Sequence, residues 1–184
     1  IIHLESNHIR RKYIEIIMKK MQINYEVIIV QPPNEHQIHF IKQQNPSLTN
    51  GEIGCYLSHM FCYHDAIRNN YNNVIVFEDD IKLMNGVSKN EINAIFDNWD
   101  ETVNHYDVVG LGVKLLPRSE IKLNGKTHGS FEEMLCTQSL FYKRHFVEHW
   151  MTVMTEFLTP TSPFYMCAVD MFLNDSSCET YRFI

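Results

Sequence analysis

The run "VIVFEDD" at residues 74–80 constrains the fold more than any other stretch of this chain. Val74 to Phe77 show no apolar–polar alternation. A strand with one wet face alternates with a period of two, whereas an unbroken apolar run suits a central strand covered on both faces. Strands of that kind belong to sheets with helices packed against them, so the chain reads as α/β. The run ends abruptly in Glu78, Asp79 and Asp80. In a parallel α/β sheet, ligands bind beyond the carboxyl ends of the strands, which is where these three acids fall.

The surrounding segments agree with that class. "IIHL" (1–4) reads as a strand, and "IRRKYIEIIMKKM" (9–21) as a helix with Ile9, Tyr13, Ile16, Ile17 and Met21 on its apolar side and a basic face opposite. "YEVIIV" (25–30) is a second strand, closed by "QPPN". A β-α-β opening argues for a parallel sheet. Residues 34–44 suit a short helix and 45–51 a loop. Thr49 and Glu52 then fit a capping box, in which each side chain satisfies a backbone N–H of the other residue. The helix they start carries a core stripe of Ile53, Leu57, Met60, Phe61 and Ile67, widened by Cys55, Cys62 and Ala66. Asparagine pairs at 69–70 and 72–73 end it.

Downstream, "EINAIFDNW" (91–99) reads as a helix and "YDVVGLG" (106–112) as a buried strand ending in glycines. Residues 113–133 read as a mobile excursion with hairpin pieces, and 134–143 as strand. Residues 144–158 form a helix with Val147, Trp150, Met151, Met154 and Leu158 inward, and "TPTSP" (159–163) a turn. There is no internal repeat and no linker, so residues 1–184 are read as one domain. The first residue is not methionine, and the expectation is a trimmed piece or one with disordered parts missing.

Composition narrows the function classes. The chain is 45% hydrophobic, enough for a sizeable core in 184 residues. A net charge of −6 argues against a nucleic-acid partner. No apolar run approaches the ~20 residues that span a bilayer. The five cysteines are odd in number and form no C-x-x-C, so neither a zinc knuckle nor a full disulfide set is signalled. Cys55 and Cys62, seven apart on a helix, place their α-carbons ~10 Å from each other, too far to bridge. They read as buried thiols in a reducing compartment, and the expected location is cytoplasmic, with peripheral contact at a membrane left open.

Three consecutive acids at a strand end admit more than one chemistry. If strand geometry persists through residue 80, Glu78 and Asp80 point to the same side. Two carboxylates that close repel, so one takes up a proton or a cation joins them. Hard oxygen donors favour Mg²⁺, Mn²⁺ or Ca²⁺, and such an ion could bind a diphosphate. The other reading is a solvated acidic turn.

The flanks bear on that choice. "NGEIGCYLSHMFCYHDAI" (50–67) followed by "VIVFEDDIKL" (74–83) resembles glycosyltransferase family 25, whose pattern runs G-E-x-G-C-x-x-S-H, a helix, a short turn, then a hydrophobic strand closed by E-D-D. Gly51, Glu52, Gly54, Cys55, Ser58, His59 and residues 78–80 match in order and spacing. Leu4, Arg10 and Arg11 keep the spacing of the family's opening strand and arginine pair, with His3 in place of the usual asparagine. "AVDMFL" (168–173) is similar to the family's P-V-D-x-x-L segment, with Ala168 for proline. The resemblance implies a GT-A-like (Rossmann-like), mostly parallel sheet flanked by helices and an inverting transfer of galactose or glucose from a UDP-sugar. It also implies a divalent ion, Mn²⁺ or Mg²⁺, and a glycan (lipooligosaccharide-type) or hydroxylysine acceptor. Glu78 and Asp80 then answer to the metal site, and Arg10, Arg11, Ser58, His59, Glu78 and Asp79 to the donor site. An inverting transfer needs a base for the acceptor proton, and Asp170 is the candidate.

Each of these residues also has a plainer reading. Asp170 could cap a helix. His59 could be a satisfied core histidine, and Arg10 and Arg11 ordinary surface charge. Ser58 could support the site by hydrogen bonding. A nucleotide-sugar-binding module without turnover is the alternative function. "HFVEH" (145–149) matches H-x-x-E-H, the reversed zinc-peptidase motif, and makes a zinc hydrolase the distant alternative. Its inward face is already taken by Val147, Trp150 and Met154, which leaves His145 and His149 on the polar side.

Overall fold

The computed structural model describes residues 1–44, 46–81, 90, 108–110, 114–115, 121–123, 126–128, 134–135, 139–157 and 181–183. Strand β1 (Ile2–Leu4) leads into helix α1 (His8–Met21), and β2 (Ile28–Val30) follows. Helices α2 (Glu35–Gln44) and α3 (Asn50–Arg68) precede β3 (Asn73–Phe77). Then come β4 (Val108–Gly110), β5 (Lys114–Leu115), β6 (Ile121–Leu123), β7 (Lys126–His128), β8 (Met134–Leu135), β9 (Ser139–Lys143), α4 (Arg144–Phe157) and β10 (Tyr181–Phe183). The expected helix at 91–99, Leu158, the turn at 159–163 and Asp170 with its segment lie outside the described residues.

Strand pairing is mixed rather than mostly parallel among the described residues. β1 pairs with β2 in parallel, Ile2 opposite Ile28, and a single parallel bridge joins Ile2 to Glu78 just past β3. β1 therefore lies between β2 and the end of β3, and all three strands run the same way. β9 inserts antiparallel between β3 and β4, with Ile75 and Val109 both opposite Phe141, and β10 pairs with β4 in parallel. The hairpin pieces expected in the excursion include the antiparallel pair β6–β7.

β3 is covered on both faces, as its unalternated sequence requires. Val74 and Val76 pack into a cluster built by Ile53, Tyr56 and Tyr63 of α3 and Phe146, Val147 and Trp150 of α4. Phe77 packs the other way, against Ile14, Ile17, Met18 and Met21 of α1. Tyr56 Oη donates to Met154 O at 2.9 Å and so ties α3 to α4 in the core.

α3 begins where the capping box puts it. Glu52 N donates to Thr49 Oγ1 at 3.2 Å, and Thr49 N donates back to Glu52 Oε2 at 2.7 Å. That backbone hydrogen bond, with one from the Thr49 hydroxyl, holds the Glu52 carboxyl below its ordinary range.

Two helix faces differ from expectation. In α1 the buried stripe is Ile14, Ile17, Met18 and Met21, while Ile9 and Ile16 are 84% and 66% exposed. The helix carries two apolar stripes at helical spacing, and only packing on Ile1 and Phe77 selects between them. In α3, Phe61 is 59% exposed, because α4 and the sheet contact the side that carries Tyr56, His59 and Tyr63.

Candidate functional site

The carboxyl ends of β1, β2 and β3 open into one cavity of about 440 Å³. Leu4, Val30 and Glu78 line it from the strand ends, and Pro32 and Pro33 from the loop after β2. Arg10 enters from the first turns of α1, and Gly51, Gly54, Cys55 and Ser58 from the start of α3. Most of the residues the sequence singles out are thus brought to one place. Gly54 has a specific reason to be glycine, because a β-carbon there would stand 3.3 Å from Pro33 Cδ. Its absence lets α3 approach the proline loop that walls the cavity.

The acidic triplet does not continue the strand. β3 ends at Phe77, and residues 79–80 turn. The alternation that would pair Glu78 with Asp80 therefore fails, and each acid has its own surroundings. Asp79 is 7% exposed and forms a clasp between β3 and β1: His3 Nδ1 lies 2.9 Å from its Oδ2, Leu4 N donates to the same oxygen at 3.4 Å, and Arg10 Nη1 donates to Oδ1 at 2.7 Å. That hydrogen bond, more than the nearby charges, holds the Arg10 guanidinium above its ordinary pKa. Asp80 Oδ2 is 3.8 Å from Arg10 Nη1, and Asp80 Oδ1 is buried with no hydrogen-bond partner among the described residues.

Glu78 turns toward α3. Its Oε1 is 3.2 Å from His59 Nε2 and 3.8 Å from Cys55 Sγ. His59 is fully buried, and its other nitrogen, Nδ1, is 3.2 Å from Tyr63 Oη, which donates to Tyr142 Oη at 2.7 Å. Burial raises both tyrosine hydroxyls above their ordinary pKa, so they stay protonated. His59 is therefore a core histidine that also reaches the acidic strand end.

The remaining expected residues are placed as follows. Arg11 Nε donates to Glu15 Oε1 at 2.8 Å along α1, so of the arginine pair it is Arg10 that lines the cavity. Ser58 Oγ donates to Gly54 O at 2.6 Å, beside the cavity. His145 and His149 are exposed on α4, and no third ligand joins them among the described residues. Cys55 and Cys62 form no disulfide among the described residues. Two contributors escaped the sequence reading. His3 stood only as a departure from a pattern, yet it is 4% exposed against Asp79. Cys55 counted as core filler, although its i, i+4 spacing to His59 was the available signal.

No helix among the described residues is long and apolar enough to cross a membrane.

The family model described as "Glycosyltransferase family 25 (LPS biosynthesis protein)" matches residues 1–149. A Haemophilus influenzae protein named "Putative glycosyltransferase" is 34% identical over 106 residues, covering 53% of this chain and 38% of its own length. Human "Procollagen galactosyltransferase 2" is 30% identical over 73 residues, covering 40% of this chain and 12% of its own. Human "Inactive glycosyltransferase 25 family member 3" is 28% identical over 80 residues, covering 43% and 13%. The chain thus spans well under half the length of these relatives. The match over residues 1–149 takes in the arginine pair, the capped helix and the acidic strand end, and by it the chain belongs to glycosyltransferase family 25.

Proposed function

We propose that this chain is a metal-dependent, inverting hexosyltransferase of GT-A type that moves galactose or glucose from a UDP-sugar to a hydroxyl of a glycan or of hydroxylysine. The observation that carries the reading is the single cavity at three parallel strand ends, which collects Arg10, Gly51, Gly54, Ser58 and Glu78. Strand ends of this kind are where α/β sheets take nucleotides. A helix start and a guanidinium suit the charge of a diphosphate.

The residues present fit a hard divalent ion. Asp80 Oδ1 is a buried carboxylate oxygen without a partner among the described residues, while both Asp79 oxygens are committed to His3, Leu4 and Arg10. Asp80 would hold the ion, Mn²⁺ or Mg²⁺, while Glu78, the second acid of the expectation, turns toward His59 and Cys55. Such an ion, when bound, neutralises charge on the departing diphosphate. The protein's own groups do the rest. Asp79 fixes the Arg10 guanidinium at the cavity wall, so donor binding meets a pre-oriented cation. Asp170 takes the proton of the acceptor hydroxyl.

One relative bears the name "Inactive glycosyltransferase 25 family member 3", which favours a second reading: a nucleotide-sugar-binding module without turnover. Hydrolysis and transfer assays over a panel of UDP-sugars, with Mn²⁺ and with EDTA, separate the two. Metal-dependent release of UDP from one donor is the expected result. Binding without turnover for every donor would establish the module instead. Asp80→Ala should abolish the strengthening of UDP binding by Mn²⁺, and equal metal dependence in the variant would remove the acidic triplet from the site.

A further inference from the structure

We infer that Cys55, His59 and Glu78 form a second cation site, selective for a thiophilic divalent ion such as Zn²⁺ and distinct from the hard-ion site at Asp80. One ligand atom from each of the three lies within 4.8 Å of the others. Two come from successive turns of α3 and the third from the end of β3. The separations suit a single tetrahedral ion. Bonds of ~2.0 Å to nitrogen and oxygen and ~2.3 Å to sulfur place neighbouring donors roughly 3.3–3.7 Å apart. Here the N···O separation is 3.2 Å and the S···O separation 3.8 Å.

The hydrogen bonding behind the site points the same way. Tyr63 directs its one hydroxyl hydrogen at Tyr142, so its oxygen accepts from His59 Nδ1–H. A neutral His59 then presents a lone pair at Nε2, and the atom it faces is a carboxylate oxygen, also an acceptor. Two acceptors at this distance take a proton or a metal ion between them, and the Cys55 Sγ 3.8 Å from the same carboxylate oxygen supplies a further donor for a metal. An Nδ1–H held by a buried partner is the orientation that metal-bound histidines take. Thiol, imidazole and carboxylate together are a zinc donor set rather than a manganese one. Cys55 and Glu78 both line the cavity, so an ion held between them would be reached from it. The ion would clamp α3 to the end of β3 and hold Glu78 apart from Asp80.

The inference goes beyond the transferase reading, and its test is independent of turnover. The reduced, metal-free chain is titrated with Co²⁺ and then Zn²⁺. The expected result is one equivalent of cobalt with tetrahedral ligand-field bands and a thiolate-to-cobalt charge-transfer band, displaced by one equivalent of Zn²⁺. Cys55→Ser should lose the charge-transfer band and weaken Zn²⁺ binding by about ten-fold or more, in line with the cost of disturbing a metal's surroundings. Asp80→Asn should keep the band, whatever it does to UDP binding. A parent chain without the band, or a band that survives Cys55→Ser, overturns the site. A second measurement needs no variant: Zn²⁺ should protect Cys55 from alkylation in the parent, read by peptide mass spectrometry. Equal alkylation of Cys55 with and without Zn²⁺ overturns the inference in the same way.

Discussion

Removing the Asp79 carboxylate tests whether the β1–β3 clasp holds the site together. Its side chain is 9% exposed and receives Arg10 Nη1 at 2.7 Å and Leu4 N at 3.4 Å, with His3 Nδ1 at 2.9 Å. The three contacts differ in worth. The His3 side chain is 5% exposed, so in Asp79→Ala water cannot replace its partner, and an unsatisfied buried group costs about 1–3 kcal/mol. The Arg10 side chain is 47% exposed and resolvates, so its pair contributes only about 0–1 kcal/mol. The Leu4 contact is long and adds little. The expected loss is therefore about 1–4 kcal/mol, or roughly 2–16 °C in Tm for a chain of this size. Asp79→Asn preserves shape, accepts from Arg10 through its oxygen and offers its amide to His3, so it should recover much of the loss. Thermal melts followed by circular dichroism measure both variants. A Tm for Asp79→Ala within about 1 °C of the parent would refute the reasoning, because a loss of at least about 1 kcal/mol shifts Tm by roughly 2 °C or more.

Arg10→Ala should weaken UDP binding by roughly ten-fold to a hundred-fold, the worth of a charged hydrogen bond, while Arg11→Ala, paired with Glu15, should bind UDP like the parent; calorimetry that ranks them the other way would contradict the cavity assignment. Asp170→Asn should leave Tm and UDP affinity unchanged and slow sugar transfer by ~10²–10⁴-fold, the size of a general-base contribution; transfer at the parent rate would end the base assignment. Burial pushes the Cys62 thiol up to about 11 from an ordinary 9.0, so the unfolded chain ionises first as pH rises. Stability carried by the protonated thiol is full below pH 9 and is lost by pH 11, about 2–3 kcal/mol in all, and melts across that range should fall less steeply for Cys62→Ala than for the parent.

Local features of this protein were legible in the sequence because their causes are local. Thr49 and Glu52 start α3 through contacts three residues apart, and the geometry of one turn is enough to predict them. Val74 to Phe77 announce a strand covered on both faces because an unalternated apolar run has no wet side to offer. The motif from Gly51 to His59 and the acidic triplet marked which residues would meet, and the cavity at the strand ends gathers most of them.

What each acid does once it arrives was decided by tertiary structure. Strand alternation would have paired Glu78 with Asp80, but the chain turns at residues 79–80. Three adjacent carboxylates then find three different neighbours: α3 for Glu78, β1 and α1 for Asp79, and a buried position without a described partner for one oxygen of Asp80. The partners His3 and His59 stand 76 and 19 residues away along the chain, so no local pattern could assign them. The same holds for α1, whose two apolar stripes are equivalent by spacing. Ile14, Ile17 and Met18 are inside, and Ile9 and Ile16 outside, because Phe77 and Ile1 lie on one side of that helix. Periodicity says that a helix has a face to bury; only the packed neighbour says which.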